Sequence, residues 1–350
     1  MSLGPLMVDL AGTELGAEDR EVLSHPLIGS VLLFSRNYQN RAQLAALIDS
    51  IRRLRSPSLL VAVDHEGGRV QRFREQFTRL PAARVLGHSF DADRHDGLAM
   101  TQTAGWLMAA ELRSIGIDFS FAPCVDLEFG LSEIIGDRAF HRDPDAVGSL
   151  AVAYMAGMRE AGMAATAKHF PGHGAVVADS HVALPVDRRA LADLEPDLRP
   201  YRLLIANLLP AIMAAHVVYP EVDALPASLS HRWLTGLLRG NLGFHGCIFA
   251  DDLTMAGAAA FGDVLARARL AAAAGCDVLP ICNDRRGVHT VLDKFKPSVV
   301  NPASQARLVH MRGRGAWTAD LAADARWQAA VKRIRSLDAP PPLVLTEGTG

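Results

Sequence analysis

The sequence predicts a single-domain (β/α)8 barrel, an α/β fold of the TIM type, and three observations predict it. Eight short runs are apolar along their whole length, at residues 6–10, 28–34, 59–63, 117–125, 164–167, 211–218, 247–250 and 276–281. Amphipathic stretches separate them, and polar residues gather where the runs end. Continuous rather than alternating apolar runs mark strands buried on both faces. Their alternation with helices marks a parallel sheet with helical cover. The clearest helix follows the second run, over residues 40–54, with Leu44, Leu47, Ile48, Ile51 and Leu54 at helical spacing. Asn40 suits its N-cap, and Gln43 stands where a capping-box partner would. Helices are also expected over residues 143–162, 188–207 and, after the eighth run, 321–337. Asp338-Ala-Pro-Pro-Pro then ends regular structure. The expected domain is residues 1–337, with 338–350 a flexible tail. An open doubly wound sheet is the rival fold. It would show a Gly-rich phosphate turn after its first strand, and none follows Leu10.

Composition narrows the function. Lys and Arg total 36 against 38 Asp and Glu, a formal net charge of -2, which argues against a nucleic-acid partner. With 49% hydrophobic and 21% charged residues, the chain has the makings of a large core and is not disordered. Cys124, Cys247, Cys276 and Cys282 show no CxxC spacing, which reads as free thiols in a reducing compartment. The first basic residue is Arg20, so no basic region of a secretory signal is visible. The most apolar stretch, residues 203–215, is cut by Asn207 and Pro210 and falls short of the roughly 20 residues of a membrane helix. The expectation is a cytoplasmic monomer with no membrane contact.

The strand ends carry the chemistry. Asp9 lies at the end of the first run, Asp64 at the third, Asp126 at the fourth, Lys168-His169 at the fifth, His216 late in the sixth, Asp251-Asp252 at the seventh and Asn283 after the eighth. In a barrel these ends converge on one mouth, where barrel enzymes place their active sites. Two long loops flank that mouth. Residues 171–187 carry Gly172, Gly174 and two histidines, and residues 127–142 contain Gly136-Asp137-Arg138. Both exceed the usual βα connection, as catalytic loops do. Arg138 reads either as a fork onto hydroxyls or a carboxylate, or as a surface partner of Asp137 or Asp143.

Four motifs, in order, resemble the β-N-acetylhexosaminidases of glycoside hydrolase family 3. They are Val63-Asp-His-Glu-Gly-Gly-Arg-Val-Gln-Arg72, Lys168-His-Phe-Pro-Gly-His-Gly174, Asp179-Ser-His181 and Phe249-Ala-Asp-Asp-Leu-Thr-Met255. The resemblance spans residues 6–283 and looks closest to the short, single-domain cytoplasmic enzymes of Gram-negative bacteria that recycle peptidoglycan. It implies a retaining hydrolase that removes terminal β-linked N-acetylglucosamine, for example from N-acetylglucosaminyl-1,6-anhydro-N-acetylmuramic acid with or without its peptide. It also implies no cofactor and no metal, and no additional sandwich domain. Asp251 matches the nucleophile, His181 the general acid/base and Asp179 its dyad partner. Asp64, Arg72, Arg138, Lys168 and His169 match positions that hold the sugar. Position 65 is His where Gln is common, a change expected at the rim of the site. Position 250 is Ala where Ser or Thr is frequent, so one hydrogen bond near the nucleophile is expected to be missing.

Retention needs a carboxylate on one face of the sugar and a proton donor on the other. Successive strand residues point to opposite sides, so only one of Asp251 and Asp252 is expected to face the mouth, and the residues alone leave either open. Most glycosidases use a second carboxylic acid as proton donor, and Glu66 is that rival. Histidine, with an ordinary pKa of about 6.5, is equally suited to giving and taking a proton near neutrality. The remaining alternatives are a phosphorylase built on the same site, a metal-dependent hydrolase using His169, His173, His181, His216 and Asp251, a Schiff-base aldolase built on Lys168, and a non-catalytic sugar-binding protein.

Overall fold

A computed structural model describes residues 2–177, 184–296, 302–315 and 321–338. Asp179, His181 and the expected tail beyond residue 338 lie outside the described residues. Eight parallel strands form the centre of the molecule: β1 (Leu6–Asp9), β2 (Ile28–Leu33), β3 (Leu60–Val63), β4 (Phe119–Ser120), β5 (Thr166–Phe170), β6 (Ala211–Ala214), β7 (Cys247–Ala250) and β8 (Leu279–Ile281). Each lies in one of the eight runs or overlaps it, and every residue of all eight is buried. They form a five-stranded sheet, β8-β1-β2-β3-β4, and a three-stranded sheet, β7-β6-β5. Single parallel bridges join the sheets: Phe119 to Ala164 and Cys124 to Lys168 on one side, Phe249 to Val278 on the other. Backbone bonds from Val125 N to Lys168 O (2.8 Å) and from Ala250 N to Val278 O (3.0 Å) reinforce these seams.

The helices that carry the argument are α1 (Arg41–Arg53), α2 (Ala83–Ala92), α3 (Arg94–Ser114), α4 (Pro144–Glu160), α5 (Glu195–Ala206) and α6 (Ala325–Arg335). In α1, Asn40 caps the helix by accepting from Gln43 N at 2.9 Å, and Leu44, Leu47, Ile48 and Ile51 are its buried face. Gln43 does not close a capping box. Its carbonyl oxygen takes Gln39 N at 2.8 Å, one residue before the cap, and its amide donates to Thr13 O and Asn37 O. A π-helical segment, Arg232–Asn241, precedes β7. Among the described residues no helix is long and apolar enough to cross a membrane.

Two strand ends differ from expectation in ways that place the site. The fifth run was expected to stop at Ala167, but β5 continues through Phe170. Lys168 and His169, expected at the end of the fifth strand, thus lie within it. The fourth run was expected to be continuous to Val125, but the regular strand stops at Ser120, since Pro123 has no N–H to give to a ladder. After β3 the chain makes a hairpin, His65–Gly67 against Val70–Gln71. Its turn uses Gly67 and Gly68, both at positive φ (114° and 54°), where a side chain is disfavoured. A Cβ on Gly67 would also sit 2.4 Å from Pro81 O.

Candidate active site

The strand ends open into a cavity of about 760 Å³ whose lining includes Asp64, Glu66, Arg72, Arg138, Lys168, His169, Asp251, Asp252 and Asn283. That volume suits a sugar-sized ligand. Six of the expected site residues, Asp64, Arg72, Arg138, Lys168, His169 and Asp251, thus share one wall system although up to 187 positions separate them in sequence. The other two, Asp179 and His181, fall outside the described residues.

Glu66 organises the cationic side. Arg138 forks onto it, Nε to Oε2 at 2.9 Å and Nη2 to Oε1 at 2.8 Å, while Lys168 Nζ lies 2.6 Å from Oε1. The side chains of Arg138, Glu66 and Lys168 are only 11%, 8% and 3% exposed. Lys168 Nζ also donates to Asp64 Oδ1 at 2.8 Å, and Arg72 Nη2 stands 3.9 Å from Asp64 Oδ2. Burial would push the Glu66 carboxyl up, but Arg138 and Lys168 outweigh it and hold Glu66 well below the ordinary carboxylate range. Burial would likewise lower Lys168, but Asp64 and Glu66 outweigh it and keep it raised. Glu66 is consequently an ionised counter-charge near neutrality and a poor proton donor. Arg138 is not a surface partner of Asp137, whose ion pair is with Arg69 at 3.3 Å.

His169 is held from behind. Its Nδ1 lies 2.7 Å from Asp126 Oδ2, and its Nε2 lies 3.5 Å from Arg138 Nη2. Asp126 and Glu66 are the two residues whose anchoring roles the sequence reading missed. Asp126 stood out only as a strand end and Glu66 only as a rival acid. A signal was present in each case: a carboxylate at or beside a buried strand end needs a cationic or N–H partner.

Asp251 and Asp252 both line the cavity, contrary to the expectation that only one would. The chain leaves β7 at Ala250, so strand alternation no longer applies to the pair. They differ in their bonding. Asp252 Oδ1 accepts from Thr254 N (3.0 Å), Thr254 Oγ1 (2.9 Å) and Cys282 N (3.2 Å), and its carbonyl faces His216 Nε2 at 2.9 Å. These bonds spend one carboxylate oxygen on the local loop. Burial raises the Asp252 carboxyl to about 6 against that bonding, which makes it a weaker anion. Asp251 Oδ1 accepts from Asp252 N at 2.9 Å.

His65 is not at the rim. It is buried, its ring lies 5.9 Å from both Phe73 and Phe77, and burial with Arg72 nearby lowers it to about 3. As a metal-ligand group, the atoms of Cys124, Asp126 and His169 come within 4.8 Å of one another. Burial pushes the Cys124 thiol well up, however, and the thiol itself lies 3.3 Å from Asp126 Oδ2 as a donor. A metal ligand would have to be the thiolate.

Parallel strands ending at a cavity lined by carboxylates and fixed cations mark the class of α/β proteins that bind a small polar molecule at their strand ends. The family profile described as the glycosyl hydrolase family 3 N terminal domain matches residues 6–310. The beta-hexosaminidase of Thioalkalivibrio sulfidiphilus is 54% identical over 97% of this chain and 98% of its own. That of Alkalilimnicola ehrlichii is 52% identical over 97% and 98%. The crystal structure of NagZ from Neisseria gonorrhoeae in complex with N-trifluoroacetyl-D-glucosamine superposes with a TM-score of 0.92 at 42% identity, covering 97% of this chain and 99% of that one. The chain belongs to glycoside hydrolase family 3, and its activity is that of a β-N-acetylhexosaminidase.

Proposed function

We propose that the enzyme is a retaining exo-β-N-acetylglucosaminidase acting on peptidoglycan fragments, among them N-acetylglucosaminyl-1,6-anhydro-N-acetylmuramic acid, in cytoplasmic cell-wall recycling. The observation that carries this reading is the shared cavity, lined by Asp251 together with Asp64, Arg72, Arg138, Lys168 and His169. In this reading Asp251 attacks the anomeric carbon and forms a covalent glycosyl-enzyme, while His181, oriented by Asp179, protonates the departing oxygen. His181 then activates the water that releases the sugar. Asp64, Arg72, Arg138, Lys168 and His169 bind the hydroxyls of the N-acetylglucosamine. The low Glu66 carboxyl supports a histidine donor over a second carboxylic acid. The circuit of strand pairings, β1 to β8 and back through two bridged seams, supports closure as a (β/α)8 barrel. No cofactor or metal takes part in this chemistry.

Turnover of an aryl N-acetyl-β-glucosaminide, followed by NMR, tests the reading. The β-anomer should be the first product, in buffer with or without phosphate, and Asp251→Ala should abolish turnover while leaving the thermal midpoint nearly unchanged. An α-anomer first, a glycosyl phosphate, or a 5-fluoro glycosyl label on Asp252 or Glu66 would overturn the respective part.

A further inference from the structure

Asp126 follows β4 and is 1% exposed. Its two oxygens collect donors from His169 and His173 and from the neighbouring Cys124. His173 N gives to Oδ1 at 2.7 Å, His169 N lies 3.3 Å from both oxygens, Cys124 Sγ lies 3.3 Å from Oδ2, and His169 Nδ1 lies 2.7 Å from Oδ2. Donors surround both oxygens, two of them backbone N–H groups that cannot reverse polarity, and this favours the ionised carboxylate. An ionised carboxylate only accepts, so the hydrogen between it and His169 sits on Nδ1. The opposite ring nitrogen, Nε2, faces Arg138 Nη2 at 3.5 Å. A guanidinium only donates, so a second N–H on that edge would meet another N–H.

We infer that Asp126 is a positioning residue that fixes the tautomer of His169, hydrogen on Nδ1 and lone pair on Nε2, so that His169 accepts a hydrogen bond from a substrate hydroxyl. The inference rests on the reading of this cavity as the sugar site. Its chemical sense is complementarity. Arg72, Arg138 and Lys168 can only donate to a hydroxyl oxygen. A hydroxyl that accepts from Arg138 or Lys168 has its own hydrogen left over, and Nε2, whose 3.5 Å contact with Arg138 Nη2 is too long to hold its lone pair firmly, is a neutral acceptor for it on the same wall. The two bonds through one hydroxyl then strengthen each other.

Asp126→Asn separates this role from mere filling of space. The backbone N–H of His173 cannot change its polarity, so the new side chain keeps its carbonyl oxygen there and turns its NH2 toward His169 Nδ1. The imidazole answers by moving its hydrogen to Nε2, as happens when a histidine's orienting carboxylate becomes an amide. The experiment is long-range ¹H–¹⁵N NMR on histidine-labelled protein, with His169 assigned by its disappearance in His169→Gln, alongside kinetics on aryl N-acetylglucosaminides lacking single ring hydroxyls. Wild type should show hydrogen on Nδ1 and Asp126→Asn hydrogen on Nε2. The variant should lose roughly 10- to 100-fold in kcat/KM, and the loss should vanish for the one deoxy substrate missing the hydroxyl that His169 accepts. Hydrogen on Nε2 in the wild type, or an equal loss on every deoxy substrate, overturns the inference. If Asp126→Asn fails to fold, the wild-type tautomer alone decides. If no N-acetylglucosaminide is cleaved by the wild type, the functional reading fails, and the tautomer is still measured without substrate.

Discussion

At the scale of the residue, Glu66 shows how environment and not residue type assigns a role. A glutamate two positions after an aspartate that lines the cavity invites the reading of a general acid. Arg138 and Lys168 remove that option by fixing its charge. Glu66→Gln should therefore lower kcat/KM on an activated aryl glycoside and on a sugar-leaving-group substrate by the same factor. The factor should be on the order of 100, about 2.7 kcal/mol, because two buried cations lose their counter-charge and their geometry. A much larger loss on the sugar substrate than on the aryl one would mean that Glu66 donates the proton after all. The residues that touch the cavity were largely legible in the sequence, because strand-end polar residues stand out against continuous apolar runs. Their partners were not. Arg138 meets Glu66 across 72 positions and Lys168 meets Asp64 across 104, and no local pattern encodes such pairings.

At the scale of the element, helix α1 was legible because its cap and its apolar stripe are local, whereas α3 was not. Thirteen of the 21 residues of α3 are buried, Trp106, Glu111 and Arg113 among them. A helix covered on most sides has no clean stripe to read. Asn40→Ala should lower stability by about 1 kcal/mol through the lost bond to Gln43 N, measured by chemical denaturation, with kcat unchanged at permissive temperature. A second element-scale feature sits where the loop after β5 begins and ends. Arg189 binds Asp187 at 2.7 Å and Asp197 of α5 at 2.8 Å, and a Cβ on Gly172 would lie 2.6 Å from Asp197. Burial raises the Asp197 carboxyl to about 6 despite Arg189. A raised acid gives stability that is full below its ordinary value of 3.8 and is lost as pH rises through about 6. Across that window the loss is about 3 kcal/mol. Asp197→Asn keeps an acceptor for Arg189 and removes the titration. The fall in thermal midpoint between about pH 4 and pH 6.5 should be shallower in the variant, and an unchanged slope would assign the titration elsewhere.

At the scale of the whole molecule, a chain of contacts connects the site to a helix about 250 positions away in sequence. Trp327 of α6 donates its Nε1–H to Glu111 Oε1 of α3 at 2.9 Å. Glu111 also accepts from Thr78 Oγ1 at 2.7 Å and from Thr78 N at 2.9 Å. Gln71 Nε2 donates to Thr78 O at 2.9 Å, and Gln71 belongs to the hairpin that carries Glu66 and precedes Arg72. Nothing in the sequence near residue 327 points to the mouth, because the link runs through a buried glutamate on a helix that was itself illegible. A truncation tests whether this link matters. Removing residues 321–350 uncovers the contacts of Ala330, Val331 and Ile334 and takes one of the donors to Glu111. At roughly 1.5–3 kcal/mol for each large apolar side chain, the loss should be on the order of 5 kcal/mol, or on the order of 10 °C in midpoint. Because Glu111 then holds Thr78 with less support, kcat/KM should fall as well, even at temperatures where the shortened chain remains folded. Full activity in the folded 1–320 chain would show that α6 stabilises α3 without reaching the hairpin.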